Sequence, residues 1–295
     1  MVSRPWDTDR AARDRAYAPG SCVSDMSDHV RRYAERSTLA RADLTWRELR
    51  YGRGPAERLD FFPAHQQGDA GLLVFVHGGQ WQPPGKSDAA FLAPDLVSRG
   101  VAFAALGYGL APTHRLDDIV QMVRRGVLWL YLRAAALGVD RERIVLSGSG
   151  AGAHLVAMCL LDGWLPSHLR PADVLRAAVL LSGIYELEPL RDSHVGEAIG
   201  LSRDQAARNS PIRHLPTELP PVVVARGGTE SAAFVDQHDL FVAALTVRGT
   251  PLADLVVRSR NHFDLPFDLA DPNTALGRAT LAHLETPSFL KALPG

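Results

Sequence analysis

The chain has 295 residues, of which 46% are hydrophobic and 22% charged, the composition of an ordinary soluble globular protein and far from that of a disordered one. Its 32 Lys plus Arg against 33 Asp plus Glu leave a formal net charge of -1, so no overall positive field exists to hold nucleic acid or an anionic membrane. At a prior of about 150 residues per domain, the length allows two domains or one large α/β unit.

The N-terminal stretch Met1 to Arg15 alternates charged and small residues without an apolar leader core. No run approaches the roughly 18 apolar residues of a membrane span, and the expectation is a cytoplasmic protein. Only Lys86 and Lys291 among the 32 basic residues are lysine, an arginine bias associated with GC-rich bacterial genomes. Cys22 and Cys159 are too few for a disulfide framework and form no Cys-x-x-Cys pair, so both read as ordinary thiols.

Residues 1–43 read as an extension that packs over the body, with a weak helical stretch near Asp28 to Arg36. Leu44 to Tyr51 and Arg58 to Phe62 then alternate apolar and polar residues around the turn Gly52-Arg53-Gly54-Pro55, the pattern of an antiparallel edge hairpin. Beyond it, short apolar runs predict buried strands at Leu72 to Val76, Val101 to Leu106, Arg143 to Leu146, Ala177 to Leu181, Pro221 to Ala225 and Leu252 to Val257. Helical patterns separate them at Ser87 to Arg99, Leu116 to Leu137, Ala151 to Asp162, Ala232 to Arg248 and Asn273 to Glu285. Strands buried on both faces with helices between them form parallel crossovers, so the fold class is α/β with a doubly wound, mostly parallel sheet. The Pro-containing, weakly periodic stretch 182–219 reads as a cap-like insertion at the carboxyl edge of the sheet, where such folds place ligands.

Four constellations carry chemistry. Val76-His77-Gly78-Gly79-Gln80-Trp81 ends a buried strand; the bare backbone of Gly78 and Gly79 can point N–H groups at a developing oxyanion, worth about 3–4 kcal/mol per preorganised donor. Gly148-Ser149-Gly150-Ala151-Gly152 has the strand-to-helix context of a Gly-x-Ser-x-Gly nucleophile elbow, whose next residue supplies a further oxyanion N–H. The residue in the nucleophile's place is Gly150, and the neighbouring hydroxyls Ser147 and Ser149 fall off frame. The glycine spacing fits neither a dinucleotide loop nor a Walker loop. Gly227-Gly228-Thr229-Glu230 and Asn261-His262-Phe263-Asp264 complete the chain order nucleophile, acid, histidine used by α/β-hydrolases. No His-Glu-x-x-His or close His/Asp cluster suggests a metal.

Several motifs in order now resemble the kynurenine formamidase (arylformamidase) type of α/β-hydrolase. They are His77 to Gln82 with Lys86-Ser87-Asp88, Tyr108 to Pro112, Gly152 to Leu155, Ser182 to Leu190 and Asn261 to Asp264, with Tyr51-Gly52 and Leu59 to Phe62 upstream. The resemblance spans about residues 44–285. It implies one α/β-hydrolase domain over 44–295, with a small cap from 1–43 and 182–219. It further implies hydrolysis of a small aryl formamide, amide or ester. His262 falls on the catalytic histidine, Glu230 on the acid, Gly150 on the nucleophile, and Gly78, Gly79 and Ala151 on the oxyanion hole. Trp81, Ser149 and Tyr185 are expected at the substrate. No cofactor and no metal are implied, and the partner is a small-molecule substrate rather than nucleic acid or membrane, with a homodimer allowed. His154 reads as a buried hydrogen-bonding residue.

The glycine at 150 leaves three readings open. The chain carries a Ser-to-Gly replacement in an otherwise intact hydrolase; or the glycine is native and Glu230 with His262 serves another reaction or a binding role; or Ser149 is the nucleophile.

Overall fold

The computed structural model describes residues 9–64, 69–83 and 85–285; residues 1–8 of the N-terminal stretch, Lys291 and the end of the domain beyond 285 lie outside them. The N-terminal extension is more helical than its pattern predicts. It forms α1 (Arg10–Ala16), capped by the Asp9 carboxylate, and α2 (Met26–Asp43), 18 residues long and capped by Asp25. The apolar periodicity of α2 is faint because only a narrow stripe is covered: Ser37 and Ala40 are buried, while the Tyr33 ring stacks on Phe91 with centroids 4.7 Å apart.

The expected hairpin is β1 (Arg47–Arg50) with β2 (Arg58–Phe62), antiparallel in register Arg47↔Phe61. Next come β3 (Ala70–Val76), α3 (Ala93–Val97), β4 (Ala102–Leu106), α4 (Leu116–Arg133), β5 (Val139–Ser149) and α5 (Ala151–Cys159). They are followed by α6 (Pro171–Val174), β6 (Ala177–Leu181), α7 (His194–Ala198), α8 (Arg203–Arg208), β7 (Val222–Thr229), α9 (Ala232–Val247), β8 (Leu252–Asn261) and α10 (Ala275–Glu285). The eight-stranded sheet has the order β1-β2-β4-β3-β5-β6-β7-β8. Its first two pairings, β1 with β2 and β2 with β4, are antiparallel, and the rest are parallel.

Three expected elements come out differently. Ser87 to Arg99 is no single helix but two 3-10 turns, Lys86–Asp88 and Ala90–Leu92, ahead of the short α3. Pro94 lacks the N–H that an α-helix would return to Ala90, so the helix starts only beside it. The helix predicted to Leu137 stops at Arg133 and tightens into a 3-10 turn closed by Gly138 at φ 71°, an αL stop. The last strand runs on to Asn261, because its partner β7 itself continues to Thr229.

The insertion is held by its polar groups. Asp117 on α4 accepts two hydrogen bonds from Arg208 at 2.8 and 2.7 Å, one from Asn209 at 2.9 Å and one from Gln205 at 3.3 Å. Chiefly through Arg208, these hold its carboxyl at about 2, below the ordinary aspartate value. The stabilisation is complete above the unfolded carboxyl's pKa and disappears as pH falls through about 2. With the side chain 34% exposed, solvent screening leaves about 1 kcal/mol. Asp117→Asn is expected to lose that amount in urea unfolding at pH 7, with the gap from the parent closing between pH 4 and pH 2.

On the far side of the sheet the buried Asp60 carboxylate of β2 receives Lys86 and, at 2.7 Å, Arg41 of α2. This ties the N-terminal helix to the strand and to the loop after β3. No helix among the described residues is long and apolar enough to cross a membrane, and Cys22 and Cys159 are both free thiols.

Candidate active site

The carboxyl ends of β3, β5, β6, β7 and β8 converge on one cavity of about 440 Å³. Its wall contains His77, Gly78, Gly79, Gln80 and Trp81 after β3, Ser149, Gly150 and Ala151 between β5 and α5, and His262 and Phe263 after β8. Ile184 and His194 come from the 182–219 stretch, and Ala18 to Ser21, Met26, Val30 and Tyr33 from the N-terminal extension. The last group was invisible in the sequence pattern, since these residues face the cavity from a segment with no motif of its own.

The turn from β5 into α5 is unusually close. A Cβ at Gly152 would lie 2.0 Å from the Val76 carbonyl oxygen and 2.6 Å from that of His77, so the start of α5 rests backbone against backbone on the end of β3. Gly150, at the apex, has φ 56° and ψ -116°, where any other residue would carry about 1–3 kcal/mol of strain. Ala151 opens α5, so its N–H has no partner four residues back. Among the described residues no hydrogen bond takes up the N–H of Gly79 or Ala151, and both residues line the cavity.

The loop after β3 is held in a rare backbone shape. Gly79, Gln80 and Trp81 have φ of 98°, 54° and 59°. The two non-glycine residues are pinned by hydrogen bonds from Ala111 N–H to the Trp81 carbonyl at 2.8 Å and from the Gln80 amide to the Tyr17 carbonyl at 3.1 Å. The Trp81 ring is fully buried edge-on to His154, 5.1 Å away. His154 in turn donates from Nε2 to the Asn209 carbonyl at 2.7 Å, as its expected structural role requires.

His77 stacks on Tyr108 at 4.2 Å and lies beside the Gly78 carbonyl, 2.9 Å from Nδ1. Burial pushes its pKa down to about 4, so this ring is neutral throughout the physiological range. Its imidazole C–H resonances are expected to stay put from pH 5.5 to pH 8 in NMR titration, and a shift there would contradict the assignment of a neutral structural histidine.

Glu230 and His262 form the second half of the site. His262 Nδ1 lies 3.1 Å from Glu230 Oε2, which places the proton on Nδ1 and leaves Nε2 as an acceptor. Ser182, at φ 47° just past β6, donates to Glu230 Oε1, as does the Gly227 N–H at 3.2 Å. Burial raises the Glu230 pKa, but His262, Ser182 and Gly227 outweigh it and hold the carboxyl below its ordinary range. Phe234 and Phe263 flank the imidazole edge-on at 4.9 and 5.2 Å. The loop carrying His262 is closed by Asn261, whose Oδ1 accepts from the N–H groups of Phe263 and Asp264 at 2.8 and 3.0 Å. It is also gripped by α2: Tyr33 donates to the Phe263 carbonyl, and Arg32 reaches Asp264 at 3.3 Å. The extension therefore sets the position of the histidine loop as well as the cavity wall.

The two halves meet at Gly150. A Cβ built there would lie 3.2 Å from His262 Nε2 and 3.6 Å from Cε1, with nothing else within 4 Å. Ser149 lines the cavity but has no hydrogen bond to His262. Tyr185, expected at the substrate, is fully buried and stacked on Phe241 at 3.8 Å. Its N–H is held by Gln237 Oε1 at 2.7 Å, and its ring lies in the core, outside the cavity wall. Ser182 was missed as a partner of Glu230, although its position at a strand's carboxyl end was a usable signal. No cluster of three or more His, Cys, Asp or Glu that could hold a metal occurs among the described residues.

A family model described as BD-FAE matches residues 59–165. The chain is 32% identical over 244 residues to the kynurenine formamidase of Danio rerio, covering 80% of this chain and 81% of that one. It is 31% identical to the kynurenine formamidase of Salmo salar, covering 92% and 95%. A solved structure from Silicibacter sp. tm1040, named only provisionally as a thioesterase, superposes with a TM-score of 0.79 at 32% identity over 92% of this chain and 98% of that one. Esterase 2 of Thermogutta terrifontis shares the fold, with a TM-score of 0.65 at 21% identity over 82% and 97%. With an eight-stranded α/β sheet and full-length likeness of this order, the chain belongs to the kynurenine formamidase family of α/β-hydrolases.

Proposed function

We propose that the cavity binds a small aryl formamide, amide or ester, and that the chain as it stands is a serine-hydrolase scaffold impaired at its nucleophile. The observation that carries this reading is the juxtaposition of an intact Glu230–His262 pair with an elbow apex occupied by glycine. With a hydroxyl supplied at position 150, His262 Nε2 takes its proton as the oxygen attacks the substrate carbonyl. Glu230 holds the resulting imidazolium, and the N–H groups of Gly78, Gly79 and Ala151 receive the oxyanion. Collapse returns the proton to the leaving amine or alcohol, and water then releases the acyl group. Residues 9–43 of the extension and the stretch 182–219 act as a cap over this centre.

A second reading has its own support. Gly150 is relaxed in a conformation that strains every other residue, so the fold is stable with glycine there, and His262 can serve as base for a water or for another reaction. The reading with Ser149 as nucleophile is set aside, since no hydrogen bond joins it to His262. Side-by-side assays of this chain and Gly150→Ser on N-formylkynurenine and a p-nitrophenyl ester decide between the remaining two. Turnover that appears only with serine supports the impaired hydrolase; two inactive, folded proteins support the repurposed one.

A further inference from the structure

We infer that the glycine at 150 makes this centre a single-displacement acyl transferase. The chain as it stands passes the acyl group of a bound aryl amide or ester straight to a small neutral molecule carrying an O–H or N–H, with His262 as base and no acyl group on the protein. The inference rests on reading the cavity as an acyl-substrate site. Apart from the chain neighbours of Gly150, the position its Cβ would take has only His262 within 4 Å among the described residues, with Nε2 at 3.2 Å. That nitrogen is an acceptor, because Nδ1 holds its proton toward Glu230 at 3.1 Å. None of the chain's own nucleophiles takes the place at the apex. Ser149 makes no hydrogen bond to His262, Ser21 donates to the Arg15 carbonyl at 3.0 Å, and neither Cys22 nor Cys159 belongs to the cavity wall.

A free donor fits this place better than a tethered one. Its oxygen or nitrogen settles about 2.8 Å from Nε2, and it carries none of the positive-φ strain that a side chain bears at this turn. The N–H groups of Gly79 and Ala151, which have no partner among the described residues, line the same cavity and receive the oxyanion. The new bond to the carbonyl carbon forms as Nε2 takes the donor's proton. The bond to the leaving group then breaks, and the imidazolium returns the proton to the departing atom. Serine hydrolases stripped of triad members keep about 10³–10⁴ over the solution reaction from binding and the oxyanion hole alone; here the base is present as well.

Phenyl acetate and p-nitrophenyl acetate with rising concentrations of neutral hydroxylamine test this, once the reaction in buffer is subtracted. Release of the phenol by the unmodified chain is expected to rise at least about 10-fold, with acetohydroxamate formed in step, and His262→Ala should cut the gain by about 10²-fold. Gly150→Ala, whose methyl occupies the donor's place against Nε2, should cut it by about 10-fold or more at unchanged folding. The ratio of hydroxamate to acetate should differ at least about twofold between the two esters, since each leaving group is still attached when the nucleophile arrives. In Gly150→Ser the ratio should be the same for both, because one acyl-enzyme gives both products. A ratio independent of the leaving group in the unmodified chain, or a gain that survives either His262→Ala or Gly150→Ala, overturns single displacement at the apex. Turnover by Gly150→Ser with no gain from hydroxylamine in the unmodified chain overturns this inference and leaves the cavity reading standing. Failure of both folded proteins to consume either ester faster than buffer overturns both.

Discussion

Gly150→Ser is expected to raise the rate of acyl hydrolysis by about 10³-fold or more over the chain as it stands, toward the factor of order 10⁶ that a missing nucleophile costs a serine hydrolase. The gain is so large because everything else that an acyl transfer needs is assembled. Nε2 of His262 carries its lone pair toward the apex, Nδ1 is bound to Glu230, and the N–H groups of Gly79 and Ala151 lie at the cavity without partners among the described residues. Two costs temper it. The serine must adopt φ near 56°, which strains it by about 1–3 kcal/mol. A hydroxyl about 2.8 Å from Nε2 with a tetrahedral angle at oxygen also puts Cβ about 3.5 Å from that nitrogen, against 3.2 Å for the Cβ built at Gly150. Accommodating the hydroxyl therefore requires His262 to retreat by about 0.3 Å. Steady-state kinetics of the two proteins at equal, melt-verified folding check the result, with His262→Ala in the serine background returning the rate to the starting level. A serine variant that is folded, binds aryl formamides and still turns nothing over would falsify the impaired-hydrolase reading.

In that same serine background, Glu230→Gln should lower kcat by about 10³–10⁴ with little change in KM. The amide presents an NH₂ where the carboxylate accepted three hydrogen bonds, from His262, Ser182 and Gly227. It can keep only some of these, and it gives no charge to balance the imidazolium. The imidazole then loses the partner that fixes its proton on Nδ1. Nitrogen chemical shifts of His262 should show the mixed tautomers directly, which a general loosening of the fold would not. Ser182→Ala should cost about tenfold by comparison, because the carboxylate survives and keeps its charge. An equal loss in both variants would place the effect in the architecture of the loop and not in the charge of Glu230.

The legible part of this molecule was the part written in local patterns. Apolar runs such as Ala177–Leu181 are buried on both sides of the sheet, so they stand out against any helix. Gly148, Gly150 and Gly152, spaced two apart, mark a strand-to-helix turn whose backbone has to touch its neighbour. Less legible was α2, whose buried stripe is too narrow to give a period. Tyr185 misled because an aromatic residue beyond a strand's carboxyl end can point to the cavity or the core. Phe241, on the distant helix α9, decided the matter by stacking against its ring.

By itself the sequence determined the α/β class, the order of the sheet's strands along the chain, and the residues at the centre of the site, because burial periodicity and short glycine motifs are properties of neighbouring positions. Only the tertiary structure decided which of them meet. Glu230 reaches His262 across 32 positions, Ser182 reaches Glu230 across 48, and Tyr33 grips the histidine loop across 230. Such contacts depend on how strands pair and how a helix lies on a sheet edge, and no local pattern encodes that distance.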